Sequence, residues 1–415
     1  MRMLAYSAAM RRTRAPIWLM GLTNAVFGMY GGIMVISVPQ LLSARHVPET
    51  TIAAMTAVMI SPGIWAFLAS PVLDVRFSRR WYSIATAAAA AVLLILALLN
   101  LDHLVLVEVF LVTGYFFANL YQSALGGWLS TIVKAEDENT LSAWITIGNI
   151  SAGGAMAVAT GEVVRNLSAT TAAVLLGAIV MLPTVVFAWM PAPGPDRRLA
   201  KESFAQFFGE VVGLLKKPEI LLAILLFAAP VATFSLTNFL SGLAHDFHAS
   251  NHFVGLVGGA GVLLGGLCGC FIFPLIDKLL PLRFLYLSIG IAGALFTLTL
   301  LLLPLNPAAF AVAMIGQNLF QALAITASTA IAFDTIGRSN PLAATTFCLV
   351  ISAYNIPISY MLFVDGAGYS WRGVAGSYAA DAAVTLISSV LLAALLIWLS
   401  RKKLLRPLAA ARISP

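Results

Sequence analysis

The sequence is poor in charged residues and has no cysteine pairs. Charged residues make up only 10% of its 415 residues, against roughly 25% in an average soluble domain. Its three cysteines, Cys268, Cys270 and Cys348, lie in apolar stretches and have neither the spacing of a disulfide framework nor that of a CxxC metal site. These absences exclude a soluble globular domain and a disulfide-stabilised secreted domain. The sequence predicts no cofactor and no metal site.

Hydrophobic residues are abundant instead, at 60% of the chain with a mean hydropathy of +0.94. A membrane-spanning helix takes roughly 20 apolar residues, and about 35 with its loop, so the chain accommodates about twelve spans. The sequence therefore predicts an all-α membrane protein. Its twelve transmembrane helices are predicted near residues 15–38, 50–72, 82–100, 104–132, 141–163, 171–190, 218–244, 253–276, 284–303, 308–333, 342–363 and 374–400.

The basic residues sort to one side of these predicted helices. Of the 24 Lys and Arg residues, all except Arg45, Arg165 and Arg372 fall in loops of one side or at the termini. The positive-inside rule predicts a multi-pass protein of the bacterial inner membrane with both termini cytoplasmic. No short apolar stretch is followed by a cleavage site, so we expect the first helix to be retained. The net charge of +7 comes from basic residues that set the topology and contact anionic lipid headgroups. No nucleic-acid partner is therefore predicted.

The longest polar stretch divides the chain near its middle. It begins with the helix-breaking sequence PAPGP at Pro191 and ends at Pro218. We therefore predict an N-terminal six-helix bundle over 1–190, a cytoplasmic linker over 191–217 and a C-terminal six-helix bundle over 218–415. Apolar residues at helical spacing in the linker indicate either an amphipathic helix on the inner surface or a solvated linker helix.

A short repeat relates the two predicted bundles. One offset of 203 residues separates Pro71 from Pro274, Asp74 from Asp277 and Arg80 from Arg283. Such a repeat indicates pseudo-symmetric halves with a substrate site where they meet, near the membrane midplane.

Polar side chains are concentrated in the first, fourth, seventh and tenth predicted helices, whereas the third, sixth and ninth have few. Because polar groups are costly in lipid, the first set is predicted to line a solute path and the second to face lipid. The alternative is that these polar groups bond between packed helices, or that the aromatic residues anchor at the interface. The candidate substrate-binding residues are Asn24, Tyr115, Asn119, Gln122, Trp144, Asn149, Asn238, Gln317, Gln321, Tyr354 and Asn355.

Charged residues on the inner side form a candidate gate. Rigid-body motion between two states needs ion pairs that form in one state and break in the other. The alternative is a solvated turn that only sets the topology. The candidate gate residues are Asp74, Arg76, Arg79 and Arg80 after the second helix, Glu136 and Asp137 in the next inner loop, and Asp277 and Arg283 in the repeat.

Acidic residues within the apolar segments are candidates for proton coupling, because a desolvated carboxylate can change its charge during a transport cycle. Glu108 and Asp381 are the two candidates, and for Asp381 the alternative is a buried structural pair. Glu162 is predicted to pair locally with Arg165, three residues along the helix. The histidines lie in outer loops, and their spacing fits no standard zinc pattern.

The polar-helix pattern, the central linker and the charged turn together resemble the major facilitator superfamily. In that family the inner loop follows the pattern G-x-L-x-D-R-x-G-R-R, of which Asp74, Arg79 and Arg80 are present here, while Ser70 replaces the first glycine and the arginines lie one residue further on. The fifth-helix sequence GNISAGGAMAVATG lacks the proline of the family's antiporters. The resemblance implies the major facilitator fold and disfavours drug export.

Within that superfamily the stretch WAFLASPVLDVRFSRRWY, from Trp65 to Tyr82, looks like a block of the AmpG-type permeases. That branch includes muropeptide importers, acetyl-CoA transporters and siderophore permeases. The resemblance implies a secondary transporter for a small polar solute, with proton-coupled import of a muropeptide-like or siderophore-like compound. A non-transporting receptor or scaffold and an exporter of small metabolites stay open as alternatives. No enzyme is predicted, because no nucleophile, base and orienting group cluster in a recognisable pattern.

Overall fold

The computed structural model describes residues 15–75, 77–192, 204–337 and 340–401, and all regular structure in them is helical. A helix in the predicted linker spans Phe204–Leu214. The numbered helices are α1 (Ile17–Ser43), α2 (Glu49–Ile60, continued by Pro62–Trp65), α3 (Arg79–Leu99), α4 (Leu104–Ile132), α5 (Ala135–Asn166), α6 (Ala169–Ala188), α7 (Pro218–Phe227 and Ser235–Ser241), α8 (Asn251–Ile276), α9 (Leu282–Leu302), α10 (Pro307–Ile336), α11 (343–371) and α12 (374–401).

The predicted class of an all-α membrane protein is confirmed. Within the described residues, nine helices are long and apolar enough to cross a membrane. The longest, Ala343–Arg401, leaves helical geometry at Arg372 and Gly373, where glycine adopts a left-handed φ of 61°, and this break separates α11 from α12. The apolar helices Ala54–Leu68 and Pro218–Phe227 are shorter, so the count of twelve spans stays a prediction.

Two turns that are related by the sequence repeat differ in structure. After α2 the chain continues as 3₁₀ turns, Ala66–Leu68 and Ser70–Asp74, and Pro71 lies in the second of them. Around Pro274 the α8 helix continues without interruption to Ile276. The tighter 3₁₀ geometry shifts the direction of each following side chain. Asp74 ends that turn and is fully buried.

The chain divides into two compact units. The first unit contains the chain up to Leu221 and also the segment Ala332–Ser352, which forms the end of α10 and the start of α11. The second unit contains Leu222–Ile331 and the chain from Ala353 onwards. The predicted division at 191–217 stays a prediction, and the structure adds that Ala332–Ser352 packs with the first unit. One apolar cluster of that unit combines Leu73, Leu120 and Ala344.

Helices α1 and α5 approach each other closely within the first unit. A Cβ on Gly28 would overlap the backbone oxygen of Asn149, and one on Gly32 would overlap that of Gly153. Each helix also contains a π-helical turn near this contact, Ile33–Ser37 in α1 and Ile147–Ser151 in α5. A π-turn inserts one extra residue and redirects the side chains around it. Asn149, a candidate site residue, lies inside the second π-turn.

Candidate functional site

The predicted site residues of the first unit fall into two groups. Asn24 and Asn119 are buried, and both use their amides in packing: Asn24 Nδ2 donates to the Ile145 carbonyl at 3.3 Å and Asn119 Nδ2 to the Tyr115 carbonyl at 2.8 Å. The half-buried group is therefore the one with side-chain surface left for a solute. Its members are Tyr115, Gln122, Trp144 and Asn149.

Aromatic stacking holds Tyr115 in place. Its ring lies 5.6 Å from that of Phe27 and 6.2 Å from that of Tyr30, and both pairs are stacked. Tyr30 in turn donates to the Leu111 carbonyl of α4 at 3.1 Å. Because the ring is fixed by two neighbours of α1, its hydroxyl has a defined direction, as a pre-organised binding group needs.

The predicted residues of α10 bond to other helices of the second unit. Gln317 Nε2 donates to the Thr297 hydroxyl of α9 at 2.6 Å. Gln321 Nε2 donates to the Thr233 carbonyl at 2.9 Å and to the Thr237 hydroxyl at 3.1 Å. Both glutamines are buried. This geometry is that of polar bonds between packed helices, the alternative that the sequence left open.

The three other predicted residues of the second unit differ in exposure. Tyr354 is buried, with its ring 6.3 Å from that of Phe227 in an edge-on arrangement. Asn238 is exposed and Asn355 is half-buried.

Gln321 also supports a break in α7. The helix stops after Phe227 and resumes at Ser235, and the connecting residues include Ala232, whose φ of 47° is uncommon for a residue with a side chain. Gln321 binds the far end of the break, and Tyr360 Oη donates to the Ala228 carbonyl at its near end, at 2.8 Å. In membrane proteins broken helices are tolerated where protein groups satisfy the freed backbone, and transporters use them at binding sites.

Asp74 forms an extensive polar cluster in the first unit. Its Oδ1 accepts from Arg79 Nε at 3.0 Å and Nη2 at 2.8 Å. Its Oδ2 accepts from the Thr345 backbone N–H at 2.8 Å and hydroxyl at 2.7 Å, and Oδ1 also accepts from the Ala344 N–H at 3.2 Å. Arg79 donates further to the Pro341 carbonyl at 3.1 Å. One buried carboxylate thus ties the turn after α2 to the first residues of α11.

The remaining predicted gate residues have varied surroundings. Glu136 forms an exposed ion pair with Lys134 at 3.1 Å, and Arg283 is buried at the start of α9. Half-buried positions are occupied by Arg80, Asp137 and Asp277. Arg76 lies outside the described residues. The contact of Asp74 with α11 was not predicted, because nothing in the local sequence indicates that residues 341–345 pack beside that turn.

The candidate coupling acids also differ in burial. Glu108 is half-buried on α4, whereas Asp381 of α12 is 8% exposed. Glu162 pairs with Arg165 at 3.1 Å, which confirms that prediction. The part of the chain that the structure describes contains no group of three or more His, Cys, Asp or Glu side chains placed to hold a metal ion.

Sequence reasoning missed a buried acid, Asp365. The predicted eleventh helix ended at 363, which placed Asp365 in an outer turn, but α11 continues to 371 and the side chain is fully buried. The Ser235 hydroxyl donates to its Oδ2 at 2.5 Å. The small and polar residues of the sequence DGAGYSW are typical of a turn, so the local sequence did not indicate the longer helix.

The fold resembles that of known transporters. The structure is similar to the human organic anion transporter MFSD10 (TETRAN), with a TM-score of 0.63 and 13% identity over 91% of this chain and 97% of that chain. It is also similar to the proton:xylose symporter XylE bound to 6-bromo-6-deoxy-D-glucose, with a TM-score of 0.62 and 13% identity over 91% and 94%. The transporter FucP in its outward conformation gives a TM-score of 0.61 and 14% identity over 91% and 98%.

These proteins carry the major facilitator fold, and the similarity confirms that fold for this chain. No protein-family model matches the sequence, and the curated proteins include no match. The resemblance to the AmpG-type branch therefore stays a prediction from residues 65–82.

Proposed function

We propose that this protein is a secondary transporter that moves a polar solute across a membrane by alternating access. The observation that carries the proposal is the similarity to three transporters over 91% of the chain, at TM-scores of 0.61 to 0.63. A fold by itself hosts many functions. Half-buried polar and aromatic side chains within apolar helices add support, because such groups are costly in a membrane unless they serve a path or a partner.

The proposed solute is a muropeptide-like or siderophore-like compound, imported with protons. This choice comes from the sequence block between Trp65 and Tyr82 and from the aromatic and amide character of Tyr115, Trp144 and Asn149. Aromatic faces bind sugar rings and planar chelators, while amides donate to and accept from polar substituents. XylE, one of the similar structures, is itself a proton symporter.

The proposed inner gate is the cluster of Asp74, Arg79 and Thr345. A carboxylate at the first turn of a helix is stabilised by the N–H groups there, and by a buried arginine as well. Alternating access requires contacts that hold one side closed and separate in the other state. The Asp74 cluster has the strength and burial for such a contact. By the positive-inside rule, we place this turn and both termini on the cytoplasmic side of a bacterial inner membrane.

Uptake into proteoliposomes tests the proposed function. We expect a radiolabelled anhydromuropeptide or a ferric siderophore to accumulate when the outside is made acidic, and not after a protonophore is added. Asn149→Ala should reduce uptake at limiting solute. Asn166→Ala is the matched control, since Asn166 is exposed at the end of the same helix and its side chain donates to the Glu162 carbonyl of that helix at 2.8 Å.

The alternatives make different predictions for vesicles of known orientation. An exporter would accumulate the solute only in inside-out vesicles. A receptor or scaffold would bind solute without moving it, and uptake indistinguishable from protein-free liposomes for every solute would refute transport.

A further inference from the structure

Two buried carboxyls lie together in the second unit without a cation. Asp365 of α11 is fully buried and Asp381 of α12 is 8% exposed. Neither forms an ion pair within the described residues. Counted along the helices at 1.5 Å per residue, each lies on the order of 10 Å from the turn at Arg372 and Gly373. Both are thus well inside the apolar segments.

The packing of α11 against α12 brings the two acids together. The helices touch at Gly368 and Gly376, where a Cβ on either would overlap or crowd the other's backbone. Ser377 donates to the Asp365 carbonyl at 2.8 Å, and Asp381 lies one turn beyond Ser377 on the same face. Asp365 and Asp381 are therefore neighbours across the contact between α11 and α12.

Asp365 has one satisfied oxygen and one unsatisfied oxygen. Oδ2 accepts the Ser235 hydroxyl at 2.5 Å, whereas Oδ1 is buried and has no hydrogen-bond partner among the described residues. A buried, unpartnered carboxylate oxygen beside a second carboxylate is costly, because burial and like charge both oppose ionisation of the pair. One bound proton would neutralise one of the two carboxylates, and a proton is the cation that needs the least space.

The other titratable side chains on the nearby parts of α11 and α12 contact different partners. Tyr378 of α12 packs in the apolar cluster that includes Leu236 and Phe310, and Tyr369 donates to Asp246 at 3.0 Å. Arg372 lies over the ring of Trp371, 5.5 Å from its centroid. Among the described residues, Asp365 and Asp381 are therefore the groups that determine the charge of this site, and the Ser235 hydroxyl of α7 donates a hydrogen bond to it.

We propose that Asp365 and Asp381 form a proton-binding site whose occupancy controls α7 through Ser235. Ser235 is the first residue of the helix that resumes after the α7 break, and that break is held by Gln321 and Tyr360. When the pair gains or loses a proton, the acceptor strength of Asp365 changes and so does its bond to α7. The role of this site in coupling rests on the proposed transport function, whereas proton binding itself does not.

Infrared difference spectroscopy of the purified full-length protein tests proton binding without any solute. We expect a protonated-carboxyl C=O band that titrates with pH and is lost in both Asp365→Asn and Asp381→Asn. Asp102→Asn is the control, because Asp102 is an exposed acid that pairs with Arg45, and this variant should keep the band. Ser235→Ala retains both carboxyls and should move the band to higher frequency, since the carboxyl loses a hydrogen-bond partner. That variant also serves if the Asn variants fail to fold.

Three results would overturn the inference. The first is a spectrum without a titrating band, and the second is a band that both Asn variants retain. The third is loss of the wild-type band on adding sodium at constant pH, which would assign the site to Na⁺.

If the band behaves as expected and the vesicles move no solute, proton binding stands and the proposed transport function fails. If wild-type and Asn variants accumulate solute equally under a proton gradient, the coupling role is refuted.

Discussion

Replacing Asp74 by Asn tests how much the buried cluster stabilises the first unit. The carboxylate accepts from Arg79, Ala344 and Thr345 with both oxygens. An amide has one acceptor oxygen, and its NH₂ can only donate. In either orientation the NH₂ would face a donor of Arg79 or the backbone N–H of Thr345.

The expected cost follows from the burial of the cluster. Arg79 is 3% exposed and Asp74 is fully buried, so the substitution leaves a buried cation without its charge partner. Breaking such a pair costs about 3 to 5 kcal/mol. Because the Asn oxygen still accepts part of the network, we expect Asp74→Asn to lower the free energy of unfolding by about 3 kcal/mol.

Equilibrium unfolding in mixed detergent micelles measures this loss. Asp102→Asn is the matched control, because Asp102 forms an exposed pair with Arg45 at 3.2 Å and such pairs contribute about 0 to 1 kcal/mol. Thr345→Val should cost about 1.5 kcal/mol in the wild type, for one bond to a charged group, and less in the Asp74→Asn background. Equal losses for Asp74→Asn and Asp102→Asn, or strict additivity with Thr345→Val, would refute the reasoning.

Three further predictions concern packing and backbone support. Gly28→Ala should destabilise the protein by more than about 1 kcal/mol in the same unfolding assay, since its Cβ would overlap the α5 backbone, whereas Gly161→Ala, with open space, should have no such cost. Tyr121→Phe should cost about 1 kcal/mol, because its hydroxyl donates to the buried Thr23 carbonyl at 2.6 Å; an unchanged unfolding midpoint would contradict this. Gln321→Met should speed amide hydrogen exchange in residues 228–241 by about tenfold, measured by mass spectrometry, and unchanged exchange would show that other groups hold the break.

Local pattern in the sequence predicted the helices well. An apolar run in a membrane has to satisfy its backbone within itself, so hydropathy alone indicates a helix. The runs near 82–100, 104–132 and 253–276 correspond closely to Arg79–Leu99, Leu104–Ile132 and Asn251–Ile276. The pair of Glu162 and Arg165 was also predictable, since both partners lie on one turn of one helix.

The ends of the helices were less predictable. Because the end of α11 was placed too early, the buried acid Asp365 was not recognised as a candidate site residue. The sequence DGAGYSW after 363 has the small and polar residues of a turn, yet the contact between Gly368 and Gly376 lets α11 continue beside α12. Glycine there is a packing residue, and only the neighbouring helix distinguishes that role from a turn. The extension buries Asp365.

The partners of buried polar groups depended entirely on the tertiary structure. From spacing alone, Gln317 and Gln321 were equally suited to a solute path and to helix packing, and the packed neighbours Thr297, Thr233 and Thr237 take their amides. By itself the sequence determined the class of the protein and its helical segments, because these follow from how each segment meets lipid and water, and the sidedness of its charge stays a prediction. Which carboxyl meets the end of another helix or a second carboxyl was decided by contacts between helices.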